Sequence, residues 1–357
     1  MRPRGFETMV PRMVRTPRDG SFVMPAEWAP HRAVWMAFPH IADEWRGRLE
    51  AAQVEHAALA RTIATECGER VELLVRDEAL LARARSLIGD VSNVRFHRAV
   101  YGDAWTRDTA PIVVHDSEGR GASTRFRFNG WGEKFSMPGD DTVGDAIVEL
   151  MPMPRRRFDV VLEGGAIDVD GDGTLLTTEQ CLFEPNRNPS MDRAALDALL
   201  VDAFGVSKVL WLRRGLVNDH TDGHIDTIAR FVAPGRVAAM EPRTKDDPHA
   251  EAMQEILSDL ERMVDARGRT IAVVRLPSPG LLRDHEGEVM PASYCNFYVG
   301  NRAVIVPTYG VPADEEAVRV LAAEFPAHRV IGLSSEVLIT GGGSFHCMTQ
   351  QEPEDAR

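Results

Sequence analysis

DVDGDGTLLTTE, residues 168–179, admits two readings, and the choice between them decides the fold. Acids at loop positions one, three and five, Gly at six and Glu at twelve reproduce the EF-hand calcium pattern. An EF-hand loop, however, lies between two helices. Here LEGG (162–165) precedes and CLFEPNRNP (181–189) follows, and neither can form a long amphipathic helix. DGDG instead separates the β-rich runs IDV and TLLTT, which is the signature of a turn joining two strands. Glycine supplies the positive φ such a turn needs, and acids are tolerated there, so a calcium-like spelling can arise from turn chemistry alone. The stretch is predicted to be a β-hairpin.

Outward from this hairpin the same order of elements recurs. MDRAALDALLVDAFG (191–205) has helical spacing and KVLWL (208–212) is a strand. TIARFVAPGRVAAM (227–240) is a second hairpin with its turn at APG, followed by the helix HAEAMQEILSDLERMVDARG and the strand TIAVVRL. SYCNFYVGNRAVIVP, DEEAVRVLAAEF and RVIGL repeat the pattern downstream. Upstream, STRFRF, TVGDAIVELM and FDVVLEGG form a strand, helix and strand. AVWMAF, a helix over 49–67 stopped by Gly68, and RVELLV complete about five hairpin–helix–strand cycles. No long Ser/Gly/Pro linker interrupts residues 22–350. One α/β domain over residues 22–357 is therefore expected, behind a basic, proline-broken tail at residues 1–21 to which no function is assigned.

A chain of 357 residues with 44% apolar and 27% charged residues has the profile of a soluble globular protein. No apolar run approaches the ~20 residues that span a bilayer. The first residues lack the apolar core of a secretory signal, so a cytoplasmic location is expected. A formal charge of −13 argues against nucleic acid and favours small cations as ligands. The four cysteines, Cys67, Cys181, Cys295 and Cys347, are widely spaced and suggest neither disulfides nor a zinc cluster.

Three constellations carry candidate chemistry. In HTDGHID (220–226), His220, His224 and Asp226 could hold a metal, yet Asp222 and Gly223 favour a loop and no HExxH glutamate is present. A lone His224 could equally support the loop without doing chemistry. In GGGSFHC (341–347), three glycines let the backbone approach a ligand and deliver Cys347, the outline of a thiol nucleophile. A buried thiol acting as a small apolar group is the plainer alternative. In DAWTRDTAP (103–111), Trp105 offers a flat face and Asp108 paired acceptors, a combination suited to a planar cation. An Asp108–Arg107 surface ion pair is the alternative there.

Together these segments resemble the agmatine deiminases and the related bacterial-type peptidylarginine deiminases, of the guanidino-group-modifying superfamily. The match runs from MPAEWAPHRAVWMAFPH (24–40) through DAWTRDTAPIVV, LEGG, GTLLTTEQCLFEPNRNP, TDGHIDTIARFVAPG and NFYVGNRAVIVP to GGGSFHCMTQQEP (341–353). The resemblance implies a five-bladed, pseudo-symmetric α/β propeller of ββαβ units, the pentein fold. It also implies hydrolysis of a guanidinium to a ureido group and ammonia without metal or cofactor. Agmatine, giving N-carbamoylputrescine on the way to putrescine and polyamines, is the first candidate substrate. Cys347 is then the nucleophile and His224 the acid/base, while Asp108 and Asp226 grip the guanidinium. Trp105 is expected to stack on the substrate and Glu163 to hydrogen-bond near it, with Asp222 supporting the loop or the substrate. His31, His40, Cys67, Cys181 and Cys295 are expected to be structural.

The chain departs from the family pattern at two places. His220 stands where agmatine deiminases usually carry an acid facing the amine end of the substrate, and Ser344 and Phe345 replace their Asn-Ile. Both changes point to an altered specificity shell, so another small guanidino compound is the alternative substrate. Amidinotransfer, a metal-dependent hydrolase and a non-enzymatic binder are the rival classes. The expected partner is a small cationic guanidino compound, with neither nucleic acid nor membrane, and a homo-oligomer is left open.

Overall fold

The computed structural model describes residues 21–356, so the expectation of a loose tail lies, but for Ser21, outside the described residues. Among the described residues, sixteen strands form five separate mixed sheets. The first sheet holds β1 (His31–Ala37), β2 (Arg70–Val75) and β3 (Val94–Arg98), all parallel. The helices Leu49–Thr62 and Glu78–Ile88 make its two crossovers. The first of these ends in a wider turn, Ile63–Cys67, and stops at Gly68 with φ 72°, as the sequence predicts.

Four further sheets follow one scheme, an antiparallel hairpin, a helix and a third strand parallel to the second. They are β4 (Ile112–His115), β5 (Gly121–Arg127) and β6 (Arg155–Val161); then β7 (Asp168–Val169), β8 (Thr174–Thr178) and β9 (Lys208–Leu212). Next come β10 (Ala229–Ala233), β11 (Arg236–Glu241) and β12 (Ala272–Pro277), and β13 (Tyr298–Val299), β14 (Ala303–Thr308) and β15 (Arg329–Ser334). Last, β16 (Gln350–Pro353) pairs antiparallel with β1, so both ends of the chain share the first sheet.

Buried apolar clusters link the sheets in chain order. Trp35 of β1 and Val113 of β4 share one cluster, and Val114 of β4 and Leu175 of β8 another. Leu176 of β8, Val237 of β11 and Val304 of β14 lie in a third, and Ile305 of β14 joins Val34 and Val71 in a fourth. Each such side chain, fully buried, contributes about 1.5–3 kcal/mol. The alternation within β8 and β14 explains the linkage, because neighbouring residues face opposite sides of a sheet and so reach different neighbours.

The 168–179 stretch is a hairpin, with Asp168 opposite Leu176 and Val169 opposite Leu175. Its acids do not converge on a common centre. Asp168 Oδ2 accepts from the Phe231 N–H at 2.6 Å, and Asp170 Oδ1 from the N–H groups of Asp172 and Thr174. Asp172, 3% exposed, accepts from Arg267 and Arg269 at 2.8–2.9 Å. The hairpin 227–240 also forms, its turn at Pro234 and Gly235 (φ 72°), but residues 225–228 are a helical turn ahead of β10. The helix expected over 249–268 stops at Leu260, because Asp265 accepts the Arg267 and Arg269 N–H groups and bends the chain into a turn. Among the described residues no helix is long and apolar enough to cross a membrane.

Calcium at millimolar concentration is expected to leave the melting temperature unchanged, whereas Asp172→Ala, which removes a buried acceptor from two half-exposed arginines, should lower the urea midpoint slightly. A calcium-induced rise of several degrees would contradict the hairpin assignment.

Candidate active site

The one-turn helix Thr106–Thr109 carries Asp108 inward. Thr106 Oγ1 donates to the Trp35 and Met348 carbonyls, and the Arg107 N–H donates to the Cys347 carbonyl at 3.1 Å. Arg107 is buried and donates to the His346 carbonyl and Gln351 Oε1, so it forms no surface pair with Asp108. Asp108 instead accepts from Trp131 Nε1 at 2.8 Å and from the Gly165 N–H at 2.9 Å.

HTDGHID is a loop organised by Asp219, whose carboxylate accepts from the Thr221 hydroxyl and the N–H groups of Thr221 and Gly223. Positive φ at Asp222 (66°) and Gly223 (81°) turns the chain, and His224 precedes the helical turn Ile225–Ile228 without capping it. His220 sits at a cavity mouth against Phe135, whereas His224 and Asp226 are fully buried. His220, His224 and Asp226 therefore do not form a ligand set. Among the described residues, the potential ligand atoms within 4.8 Å of one another belong to Glu163, Cys181 and His224. A guanidinium already faces that group, since Arg187 Nε donates to both Glu163 oxygens at 2.9 and 3.1 Å.

The glycine loop permits close packing. A Cβ on Gly343 would lie 2.8 Å from Trp105 and 3.1 Å from Cys347 Sγ. Trp105, stacked on Trp45, and Cys347 consequently form adjacent walls of one cavity, with Asp108, Trp131 and His220. Gly165 plays the same part opposite. A Cβ there would stand 2.5 Å from His224 Nδ1, 2.9 Å from Asp108 Oδ1 and 3.1 Å from Asp226 Oδ2. Cys347 Sγ lies 3.5 Å from Asp226 Oδ2. Thiol, imidazole and two carboxylates thus meet at one point, Cys347 and Asp108 lining the cavity and His224 and Asp226 buried behind them.

Their protonation follows from burial and mutual charge. Burial pulls the His224 imidazole down, but Asp108, Cys181 and Glu163 outweigh it and raise it to about 10. Burial, then Asp226 and Asp108, push the Cys347 thiol well up. Burial acts against an ionised Asp226 too, yet His346 more than compensates and its carboxyl falls below the usual range. His346 Nδ1 is 2.7 Å from Asp226 and its Nε2 2.8 Å from Glu27, which also pairs with Arg230. Asp226 Oδ1 and both His224 nitrogens have no hydrogen-bond partner among the described residues. Buried polar atoms of this kind call for an explanation, and N–H-rich cations would satisfy the carboxylate.

The model of the Porphyromonas-type peptidyl-arginine deiminases matches residues 23–353. The chain belongs to that family. It is 38% identical to the agmatine deiminase of Stutzerimonas stutzeri (strain A1501), with 96% of this chain and 98% of that protein covered. The structure is similar to that of an Enterococcus faecalis agmatine deiminase catalysing its reaction, with TM-score 0.89, 33% identity and coverage of 94% and 97%. A C. jejuni agmatine deiminase with substrate bound gives TM-score 0.86 at 28% identity, covering 94% and 97%. DDAH from Pseudomonas aeruginosa complexed with citrulline, at 16% identity, TM-score 0.53 and coverage of 90% and 99%, shares the fold alone.

Within this family member the outer shell differs from the sequence-based expectation. Glu163 is engaged by Arg187 and lies beside His224. Asp222 is bound by Arg187 Nη1 at 2.7 Å and by Lys134, so it supports the loop. Ser344 is buried, its hydroxyl 2.6 Å from that of Ser335, behind the cavity wall. Trp131, Arg187, His346 and Asn296 escape sequence reasoning, although His346 lies inside GGGSFHC and Asn296 inside NFYVGN. Trp131 carried a local signal, a bulky residue between two glycines, in a run of positive φ from 130 to 133.

His346→Leu leaves the Asp226 and Glu27 carboxylates buried with one partner fewer, and stability to urea should fall by about 3–5 kcal/mol. His224 is raised from 6.5 to about 10, so its contribution is full below pH 6.5 and declines as pH rises towards 10. The stability gap between the wild type and His224→Gln should therefore shrink steadily from pH 6.5 to 9, and a constant gap would refute the charged imidazole.

Proposed function

We propose that the protein is a deiminase that hydrolyses the guanidinium of a small substrate, agmatine first, to the ureido product and ammonia. The observation that carries this reading is the meeting of Cys347, His224, Asp108 and Asp226, the first and third lining one cavity and the other two buried directly behind them. Burial, with Asp226 and Glu163, pushes the Asp108 carboxyl up against the opposing His224, so an added cation between the acids is favoured. A guanidinium is such a cation, and its planar N–H groups match carboxylate oxygens in pairs. The five sheets, joined cyclically by their apolar clusters, support a five-bladed α/β propeller with this cavity at its centre.

The chemistry then divides among the residues. Substrate charge favours loss of the thiol proton, and the Cys347 thiolate forms a bond to the guanidinium carbon. The two carboxylates hold the remaining N–H groups while that carbon becomes tetrahedral. Protonated His224 gives its proton to one nitrogen, the C–N bond breaks and ammonia leaves, with a thiouronium on the sulfur. Neutral His224 next takes one proton from water as hydroxide adds to the carbon; the C–S bond then breaks to release the thiolate, and the hydroxyl gives its proton to solvent, leaving the neutral ureido product. Trp105 supplies the flat wall beside the reacting group.

The tail of the substrate faces a different set of charges. Burial, then Arg46 and Lys134, hold the His220 imidazole low against Asp219, so it brings no charge near neutral pH. Asp43 and Glu44 line the same mouth and supply the negative field that a terminal amine would use. Against those acids, His220 in place of a carboxylate and Arg46 at the same mouth favour a second reading at the level of substrate, a small guanidino compound with a tail unlike that of agmatine.

Purified protein should release ammonia and form a ureido product from agmatine with no amine acceptor present, compared with free arginine and other guanidino compounds. Cys347→Ser should keep the fold and lose at least about 1,000-fold in turnover. Silence across the whole panel would sink the reading, and turnover that depends on an added amine would reassign it to amidinotransfer.

A further inference from the structure

The Cys347 sulfur must become an anion twice in this reaction, once to attack and once when it is expelled from carbon. Its surroundings oppose that. Asp226 Oδ2 stands 3.5 Å away and Asp108 adds a second negative field, in a pocket where the thiol is 4% exposed. The substrate cation offsets the acids on the first occasion, but the product ureido group is neutral on the second. A donor belonging to the protein is needed at the sulfur.

Asn296 is placed as that donor. It is 2% exposed, in the segment just before β13, and its Nδ2 lies 3.2 Å from Cys347 Sγ. The orientation of its amide is set by its other contacts. Oδ1 is 3.1 Å from the His346 nitrogen and 3.3 Å from the Cys347 nitrogen, and backbone N–H groups can only donate. The oxygen must therefore face the nucleophile loop, which leaves the NH₂ group towards Sγ and the Asp226 carbonyl at 3.4 Å. Exchanging the two ends would set an NH₂ against two N–H groups. The neutral thiol completes the arrangement, since its S–H points to Asp226 while its lone pair accepts from Asn296.

We propose that Asn296 is a catalytic residue whose side-chain N–H stabilises the Cys347 thiolate in both half-reactions. A hydrogen bond to an ionised sulfur is stronger than one to the thiol, so the contact favours the anion over the neutral form. The inference rests on the deiminase reading for its chemistry, but its test does not need a substrate. Asn296→Asp keeps the acceptor that clamps the 346 and 347 N–H groups and removes the donor. Asn296→Ala removes both and adds no charge.

The experiment follows alkylation of Cys347 by iodoacetamide from pH 7 to 10 without substrate, with the site located by mass spectrometry and the fold checked by melting. In both variants the rise of rate with pH should move upward by at least about one unit, a tenfold loss at a given pH. Turnover of the guanidino substrate should fall about 100-fold with KM changed by less than about threefold. Profiles that superimpose on the wild type, even with a lowered melting temperature, would reduce Asn296 to a clamp and overturn the proposal. A wild type that deiminates nothing would refute the substrate reading instead, while a shifted alkylation profile would still uphold the amide–sulfur interaction.

Discussion

The structure is governed by the difficulty of burying several carboxylates at one place. Asp108, Asp226, Glu27 and Glu163 all lie at or near the inner end of the cavity and are almost entirely shielded from water. Three of them have a fixed partner. Glu163 faces Arg187, Glu27 faces Arg230 and His346, and Asp226 faces His346. Asp108 has only N–H donors and a histidine 3.7 Å away, so it is the acid whose charge the protein itself balances least. Ground-state preference for a flat cation and pre-set acceptors for its N–H groups are two aspects of this one arrangement.

Close approach is the second condition, and it comes from glycine. Gly165 lets His224, Asp108 and Asp226 surround a point that a methyl group would fill, and Gly343 lets the indole of Trp105 meet the nucleophile. Neither position needs positive φ, so the requirement is space and not backbone freedom. The loops that bring these groups together are held from outside by side chains such as Arg187, Asp219 and Thr106, which never reach the cavity. Their role is to keep the reacting atoms within a few tenths of an ångström.

Much of this architecture is written locally. The β7–β8 hairpin follows from DGDG between two β-rich runs, and the helices Leu49–Thr62 and Arg193–Phe204 from apolar spacing with Gly68 and Gly205 as stops. Cys347, His224, Asp226 and Asp108 each have a plainer structural reading when taken alone, and it is the family resemblance that singles them out together. Glu163 was harder to place. Its sequence neighbours LEGG suggest a substrate contact, but the partner that decides its role, Arg187, is twenty-four residues away and on another loop. The same holds for Ser344, whose neighbour Ser335 turns it away from the cavity.

Residue order alone was enough for the α/β class and the repeating hairpin–helix–strand units, because turns and helix stops are properties of short stretches. Pairings between distant loops depended on the folded chain. Asn296 facing Cys347, His346 bridging Asp226 to Glu27, and β16 beside β1 join residues separated by 51 to 322 positions. No local pattern encodes such contacts, since each exists only once the sheets have packed and burial has made an unpaired charge or amide too costly to leave alone.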